Sequence, residues 1–111
     1  MQWIPLIAED QLKDILERSA TTPQVIYKHS TRCSISSMVR HRLDKKPAPG
    51  GIDFYYLDIF AYRPLSNKIA QDLGVQHESP QVLLIKNGQC VYTESHMAIR
   101  MDEIEAQSMI A

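Results

Sequence analysis

Apolar positions along this chain fall into alternating helical and extended patterns. Leu12, Ile15 and Leu16 share one helical stripe between Glu9 and Ser19, with Glu9 and Asp10 in the first turn and Arg18 near the end. That is the charge order a helix dipole favours. Trp3, Ile4 and Leu6 precede it as an apolar lead-in expected to pack against the core. After the turn Thr21-Thr22-Pro23, the run Gln24 to His29 predicts a first strand centred on Val25, Ile26 and Tyr27. A helix follows from about Cys33 to Lys45, with Ile35, Met38, Val39 and Leu43 expected to face inward. Lys46-Pro47-Ala48-Pro49-Gly50-Gly51 reads as a loop.

Ile52 to Phe60 is β-branched and aromatic, which predicts a second, buried strand. Arg63-Pro64-Leu65 breaks it. Ser66 is then a suitable N-cap for a helix carrying Ile69, Ala70 and Leu73 and stopped by Gly74. Val82 to Ile85 and Cys90 to Thr93 predict two further strands, joined by a hairpin turn at Asn87-Gly88. An amphipathic segment, Met101 to Ile110, closes the chain as a helix. The order αβαβαββα predicts an α/β protein of thioredoxin-like fold, a four-stranded mixed sheet flanked by helices. Cys33 falls at the first strand-to-helix junction, where that fold carries its active thiol. Pro80 falls just before the third strand, where that fold carries a cis-proline.

Bulk properties narrow the function. The 111 residues are expected to form one domain, residues 1–111, with an ordinary composition of 44% hydrophobic and 23% charged residues and a net charge of −1. Without a basic excess, nucleic acid and anionic membrane are not expected partners. Two cysteines are too few for a disulfide-stapled secreted domain, and no leader-like segment opens the chain. A cytoplasmic location is therefore expected. In that reducing compartment a thiol is more often catalytic or metal-binding than structural.

Cys33 carries the chemistry. A sulfur at a helix start meets unpaired backbone N–H groups and the positive end of the helix dipole, both of which favour thiolate. Its neighbours Thr31, Arg32 and Ser34 are polar, unlike those of a buried inert cysteine. The spacing Cys33-Ser34-Ile35-Ser36 is that of a Cys-x-x-Cys motif with the second sulfur replaced by a hydroxyl. Ser36 cannot resolve a disulfide but can donate a hydrogen bond to the sulfur, so a redox site here works with one thiol. Ser79-Pro80, if cis, exposes the Ser79 backbone for pairing with a substrate's main chain. Cys90, early in the fourth strand, reads as a buried structural thiol. His29, His77 and His96 have no metal-ligand spacing, so no metal is expected. Met97, Met101 and Met109 read as core filler.

Together, His29-Ser30-Thr31-Arg32-Cys33, Ser36, the run Arg63-Pro64-Leu65-Ser66-Asn67-Lys68-Ile69-Ala70, His77-Glu78-Ser79-Pro80-Gln81 and Ser95-His96 resemble the monothiol bacilliredoxins. The resemblance runs from the Trp3 region through Ile99. It implies a thiol-disulfide oxidoreductase with no tightly bound cofactor, whose thiol substrate is bacillithiol and whose partners are S-bacillithiolated proteins and a low-molecular-weight thiol. Cys33 would attack the protein–bacillithiol mixed disulfide, free the protein thiol and carry the bacillithiol until another thiol removes it. Cys33 and Ser36 are then the catalytic residues, and Thr31, Arg32, Ser34, Ser79 and Pro80 contact substrate. The family usually has proline after the cysteine, where this chain has Ser34. Bacillithiol carries a malate carboxylate pair on a sugar, for which Arg32, Lys28 and His77 are cationic candidates. Two alternatives remain: a monothiol glutaredoxin-like iron–sulfur protein, whose usual Cys-Gly-Phe-Ser this chain lacks, and a non-catalytic thiol-sensing interaction module.

Overall fold

The computed structural model describes residues 1–110. Five strands form one mixed sheet: β1 (Ile4–Pro5), β2 (Gln24–His29), β3 (Asp53–Asp58), β4 (Gln81–Lys86) and β5 (Gln89–Ser95), in the order β1-β3-β2-β4-β5. Four helices cover it: α1 (Glu9–Arg18), α2 (Ser34–Asp44), α3 (Arg63–Leu73) and α4 (Met101–Ser108), with a short 3-10 turn over His96–Ala98. The architecture is the thioredoxin fold expected from the element order, with one strand more than the four predicted.

Every residue of β2 is buried, as a central strand covered on both faces requires. Its alternate side chains separate two cores. Ile26 joins Leu12 and Ile15 of α1 and Leu65 and Ile69 of α3 on one face. Val25 and Tyr27 join Val39 and Leu43 of α2 and Ile104 of α4 on the other. The charged Lys28 also lies in β2, fully buried.

The parallel β2–β3 pair sets where the loops gather. His29 and Asp58, the last residues of these strands, are register partners, so both chains leave the sheet at the same end. β4 runs antiparallel to β2 with Gln81 opposite Lys28, which brings Ser79-Pro80 to that same end. The Asn87-Gly88 turn lies at the opposite end. Both residues have positive φ, 54° and 74°, the geometry that matches a two-residue hairpin to strand twist. The N–H groups of Asn87 and Gly88 bond to the carbonyl and hydroxyl of Ser19, latching the turn to the end of α1.

Several local expectations are corrected. The lead-in at Ile4–Pro5 is a strand paired in parallel with Tyr55 and Tyr56, too short and too exposed to show alternation. Helix α3 starts at Arg63 rather than after Ser66. Pro64 occupies its first turn, where a missing N–H costs nothing and the fixed φ suits the helix. Gly74 does end α3, in the left-handed conformation at φ 65°. On α2 Val39 and Leu43 are buried, whereas Ile35 and Met38 face solvent. Of the three methionines expected in the core only Met101 is there; Met97 and Met109 are exposed.

Candidate active site

Cys33 occupies the N-cap of α2, with an extended backbone at φ −112° and ψ 120°. Two bonds shape this corner. The Cys33 N–H donates to the Ser30 carbonyl at 3.2 Å, and the Cys33 carbonyl accepts from the Ser37 N–H at 3.3 Å. The chain therefore turns sharply out of β2 and delivers the sulfur over the free N–H groups of the first helical turn. The N–H of Ser36 is the main influence lowering the thiol's pKa, assisted by the N–H of Ile35 and the Ser36 hydroxyl, against a desolvation effect that raises it. No acidic side chain stands in the first turn of α2 to oppose this. The sulfur is partly exposed.

Ser36 is fully buried rather than a surface serine. Its Oγ accepts a hydrogen bond from the Ser30 N–H at 3.2 Å, which leaves the hydroxyl proton free to be donated to the Cys33 sulfur. The Ser36 carbonyl accepts from the Tyr27 hydroxyl at 2.9 Å, tying this helix turn to the strand beneath it. Burial pushes the Tyr27 phenol's pKa upward, so Tyr27 stays a neutral donor at physiological pH.

Ser79–Pro80 is a cis peptide bond. The Pro80 carbonyl is held by the His96 N–H at 2.9 Å. Among the described residues, the N–H and C=O of Ser79 make no backbone hydrogen bond, and its buried hydroxyl has no partner. This segment lies beside the end of β2 from which the Cys33 loop departs. Thr31, Arg32 and Ser34 are exposed around the sulfur.

The three cationic candidates separate. Only Arg32 is exposed, with its guanidinium 4.7 Å from the centre of the Phe60 ring. Lys28 is fully buried, and its Nζ donates to the Ser66 carbonyl at 3.1 Å and to His77 Nδ1 at 3.2 Å. Burial pulls it down to a pKa of about 8. His77 is also held below its ordinary pKa, by burial first and then by Lys28 and Arg63. Lys28 lies on the α3 side of the sheet, and the half-buried His77 meets it there. This buried cation has no signal in the apolar pattern, which reads straight through it.

Cys90 stands opposite Ile85, which in turn stands opposite Gln24 at the start of β2, whereas Cys33 lies beyond its far end. At about 3.3 Å per strand residue the two sulfurs are separated by roughly 17 Å or more. That is far outside disulfide reach. Burial raises the Cys90 pKa, and its Sγ bonds to the Tyr92 carbonyl. No group of three or more His, Cys, Asp or Glu among the described residues could hold a metal ion. No helix among them is long and apolar enough to cross a membrane.

Comparison with known proteins agrees with this geometry. A solved protein described as a proposed oxidoreductase with a thioredoxin fold is 31% identical, with a TM-score of 0.81 over 94% of this chain and 91% of the other. A Malassezia sympodialis thioredoxin is 23% identical, with a TM-score of 0.71 over 95% of this chain and 86% of its own. A variant thioredoxin from Halobacterium salinarum is 15% identical, with a TM-score of 0.73 over 99% of this chain and 94% of its own. These two thioredoxins speak for the fold alone. The sequence pattern of the monothiol bacilliredoxin BrxC family matches residues 4–104. With a thiol-redox fold, one thiol at the junction and a match across nearly its whole length, this chain belongs to the monothiol bacilliredoxin family.

Proposed function

We propose that this protein removes bacillithiol from S-bacillithiolated proteins by one-thiol exchange at Cys33. The Cys33 thiolate attacks the bacillithiol sulfur of the mixed disulfide. A Cys33–bacillithiol disulfide forms as the original S–S bond breaks, and the protein thiolate leaves and takes a proton from water. An external low-molecular-weight thiol, as its thiolate, then attacks the bacillithiol sulfur. It departs as a disulfide with bacillithiol and returns Cys33 as thiolate. The lowered pKa serves both steps, supplying the nucleophile at neutral pH and then a good leaving group.

The observation that carries this reading is the pairing of a thiol on the N–H groups of α2 with a buried hydroxyl, Ser36, where a resolving sulfur would stand. The cis Ser79–Pro80 segment, with its unpaired Ser79 backbone, supplies an edge on which the substrate's main chain can pair. Thr31, Arg32 and Ser34 border the approach to the sulfur.

Release of bacillithiol from a modified protein, followed by mass spectrometry, tests the reading. Cys33→Ser is expected to abolish release, whereas Cys90→Ser leaves it nearly unchanged. Turnover rises with the concentration of external thiol, and a Cys33–bacillithiol adduct accumulates when that thiol is withheld. If Cys90→Ser proved as damaging as Cys33→Ser, or if glutathione-modified protein were the better substrate, the reading would fail.

A further inference from the structure

The turn after β3 places an aromatic ring against Arg32, the residue before the thiol. Asp58 Oδ1 accepts from the N–H groups of Phe60 and Ala61, and the Ile59 N–H donates to the His29 carbonyl. These bonds fix the turn against the end of β2, from which the Cys33 loop departs. Phe60 is 40% exposed there, and two guanidinium groups lie over its ring: Arg32 at 4.7 Å from the centre and Arg63 at 5.6 Å. A guanidinium resting its face on an aromatic ring keeps its edge N–H donors free, and those edges match a carboxylate.

Neither arginine pairs with a carboxylate among the described residues. Among the described residues, Arg18, Arg40 and Arg100 pair with aspartates, and Arg42 donates to the carbonyls of Met97 and Ile99. Arg32 and Arg63 make no ion pair. Arg63 moreover opens α3, where the helix dipole disfavours a cation, and no acidic residue stands in the first turn of α3 or of α2. Two helix starts and two guanidinium groups thus meet around Phe60, next to the Cys33 loop, and the one carboxylate of that turn, Asp58, is engaged by the N–H groups of Phe60 and Ala61 rather than by either arginine. An anion brought there would relieve that repulsion.

We propose that Arg32 and Arg63, held on the Phe60 ring, form a carboxylate-binding subsite beside Cys33 that selects thiols and disulfides bearing carboxylates over uncharged ones. The subsite rests on the proposed function for the identity of its natural ligand, the malate portion of bacillithiol. Arg63 and Phe60 enter here as specificity residues, distant in sequence from the cysteine motif. The Cys33 pKa is lowered chiefly by the N–H groups and hydroxyl of its own helix, so the pair's effect is sought on the incoming ligand.

Alkylation of Cys33 in a Cys90→Ser background separates these effects. Rates with anionic iodoacetate and neutral iodoacetamide are compared for the parent, Arg32→Gln, Arg63→Gln, the double variant and Arg63→Lys, at low and high salt. The ratio of iodoacetate to iodoacetamide rates is expected to fall about fivefold in the double variant at low salt and to converge with the parent near 1 M salt. Arg63→Lys keeps part of the ratio, and the pH profile with iodoacetamide does not move. A ratio unchanged in the double variant, or a loss that persists at high salt, overturns the proposal. The same variants are then assayed with bacillithiol disulfide and uncharged hydroxyethyl disulfide. A matching fall in preference for bacillithiol disulfide supports the subsite; an arginine dependence seen only with a bacillithiolated protein overturns it. If the iodoacetate ratio falls as expected but the parent does not prefer bacillithiol disulfide, the carboxylate subsite stands and the proposed function is what fails.

Discussion

Cys33 and Cys90 carry the same functional group in one small fold, and their surroundings push it in opposite directions. Cys33 caps a helix, where backbone N–H groups without helical partners stabilise the thiolate. Cys90 sits in a strand packed against the α1–α3 core, where burial outweighs two backbone hydrogen bonds and stabilises the thiol. No charged side chain is needed for the contrast. Free N–H donors at a helix start on one side and burial in a strand on the other supply it.

The most direct way to break this comparison is to titrate both thiols. In Cys33→Ser and Cys90→Ser proteins, the surviving thiol is alkylated with iodoacetamide across pH. At pH 7 Cys33 is expected to react about tenfold faster than Cys90 or more, since reactivity follows thiolate fraction and access. Its profile turns over below the ordinary cysteine value of 9.0, and that of Cys90 above it. Coincident profiles would remove the basis for calling Cys33 activated.

Lys28 sharpens the same point on the α3 side of the sheet. Like the half-buried Cys90 it is a strand residue whose neutral form burial favours, with a folded pKa of about 8 against 10.5. The unfolded chain therefore binds more protons between those values, so stability rises with pH across that window. The penalty is full below pH 8 and gone above 10.5, and the shift corresponds to about 3 kcal/mol. Urea unfolding from pH 7 to 10 should show wild-type stability climbing relative to Lys28→Met, which lacks the titrating group. Parallel curves for the two proteins would show that Lys28 titrates normally.

The smallest expected effect concerns Ser36. Ser36→Ala removes one donor to the sulfur and leaves the buried Ser30 N–H without its acceptor. Cys33 alkylation at pH 7 is expected to slow roughly fivefold, equivalent to about 1 kcal/mol for one hydrogen bond. Stability should fall by about 1–3 kcal/mol from the orphaned N–H. A Cys33 pH profile identical to wild type would assign the whole effect to the backbone.

Much of this arrangement is legible in the chain because its signals are local. The β2–α2 junction, the Asn87-Gly88 turn and the Gly74 stop each depend on residues within a few positions. The α2 N-cap at Cys33 needed only a polar turn between a strand and a helix. Features that escaped depend on distant partners. Ile4–Pro5 is a strand only because β3 lies beside it. Lys28 hides in an apolar run because its ammonium finds Ser66 and His77, residues from α3 and the loop that follows it. Arg63-Pro64 reads as a strand break because proline signals both a break and a helix start. The pairing of Arg32 with Phe60 and Arg63 appears only once two neighbouring strands end together.

The buried hydroxyl of Ser36 has a consequence for how the protein registers its surroundings. A dithiol protein closing an internal disulfide releases two external thiols for each external disulfide consumed. Its ratio of oxidised to reduced form therefore varies with the inverse square of thiol concentration, and dilution alone changes its state. On the proposed reading, Cys33 exchanges one thiol for one disulfide. At fixed pH the ratio of bacillithiol-bearing to free Cys33 then follows the simple ratio of external disulfide to thiol, whatever the total concentration. Replacing one sulfur by an oxygen converts a detector of thiol abundance into a detector of thiol composition.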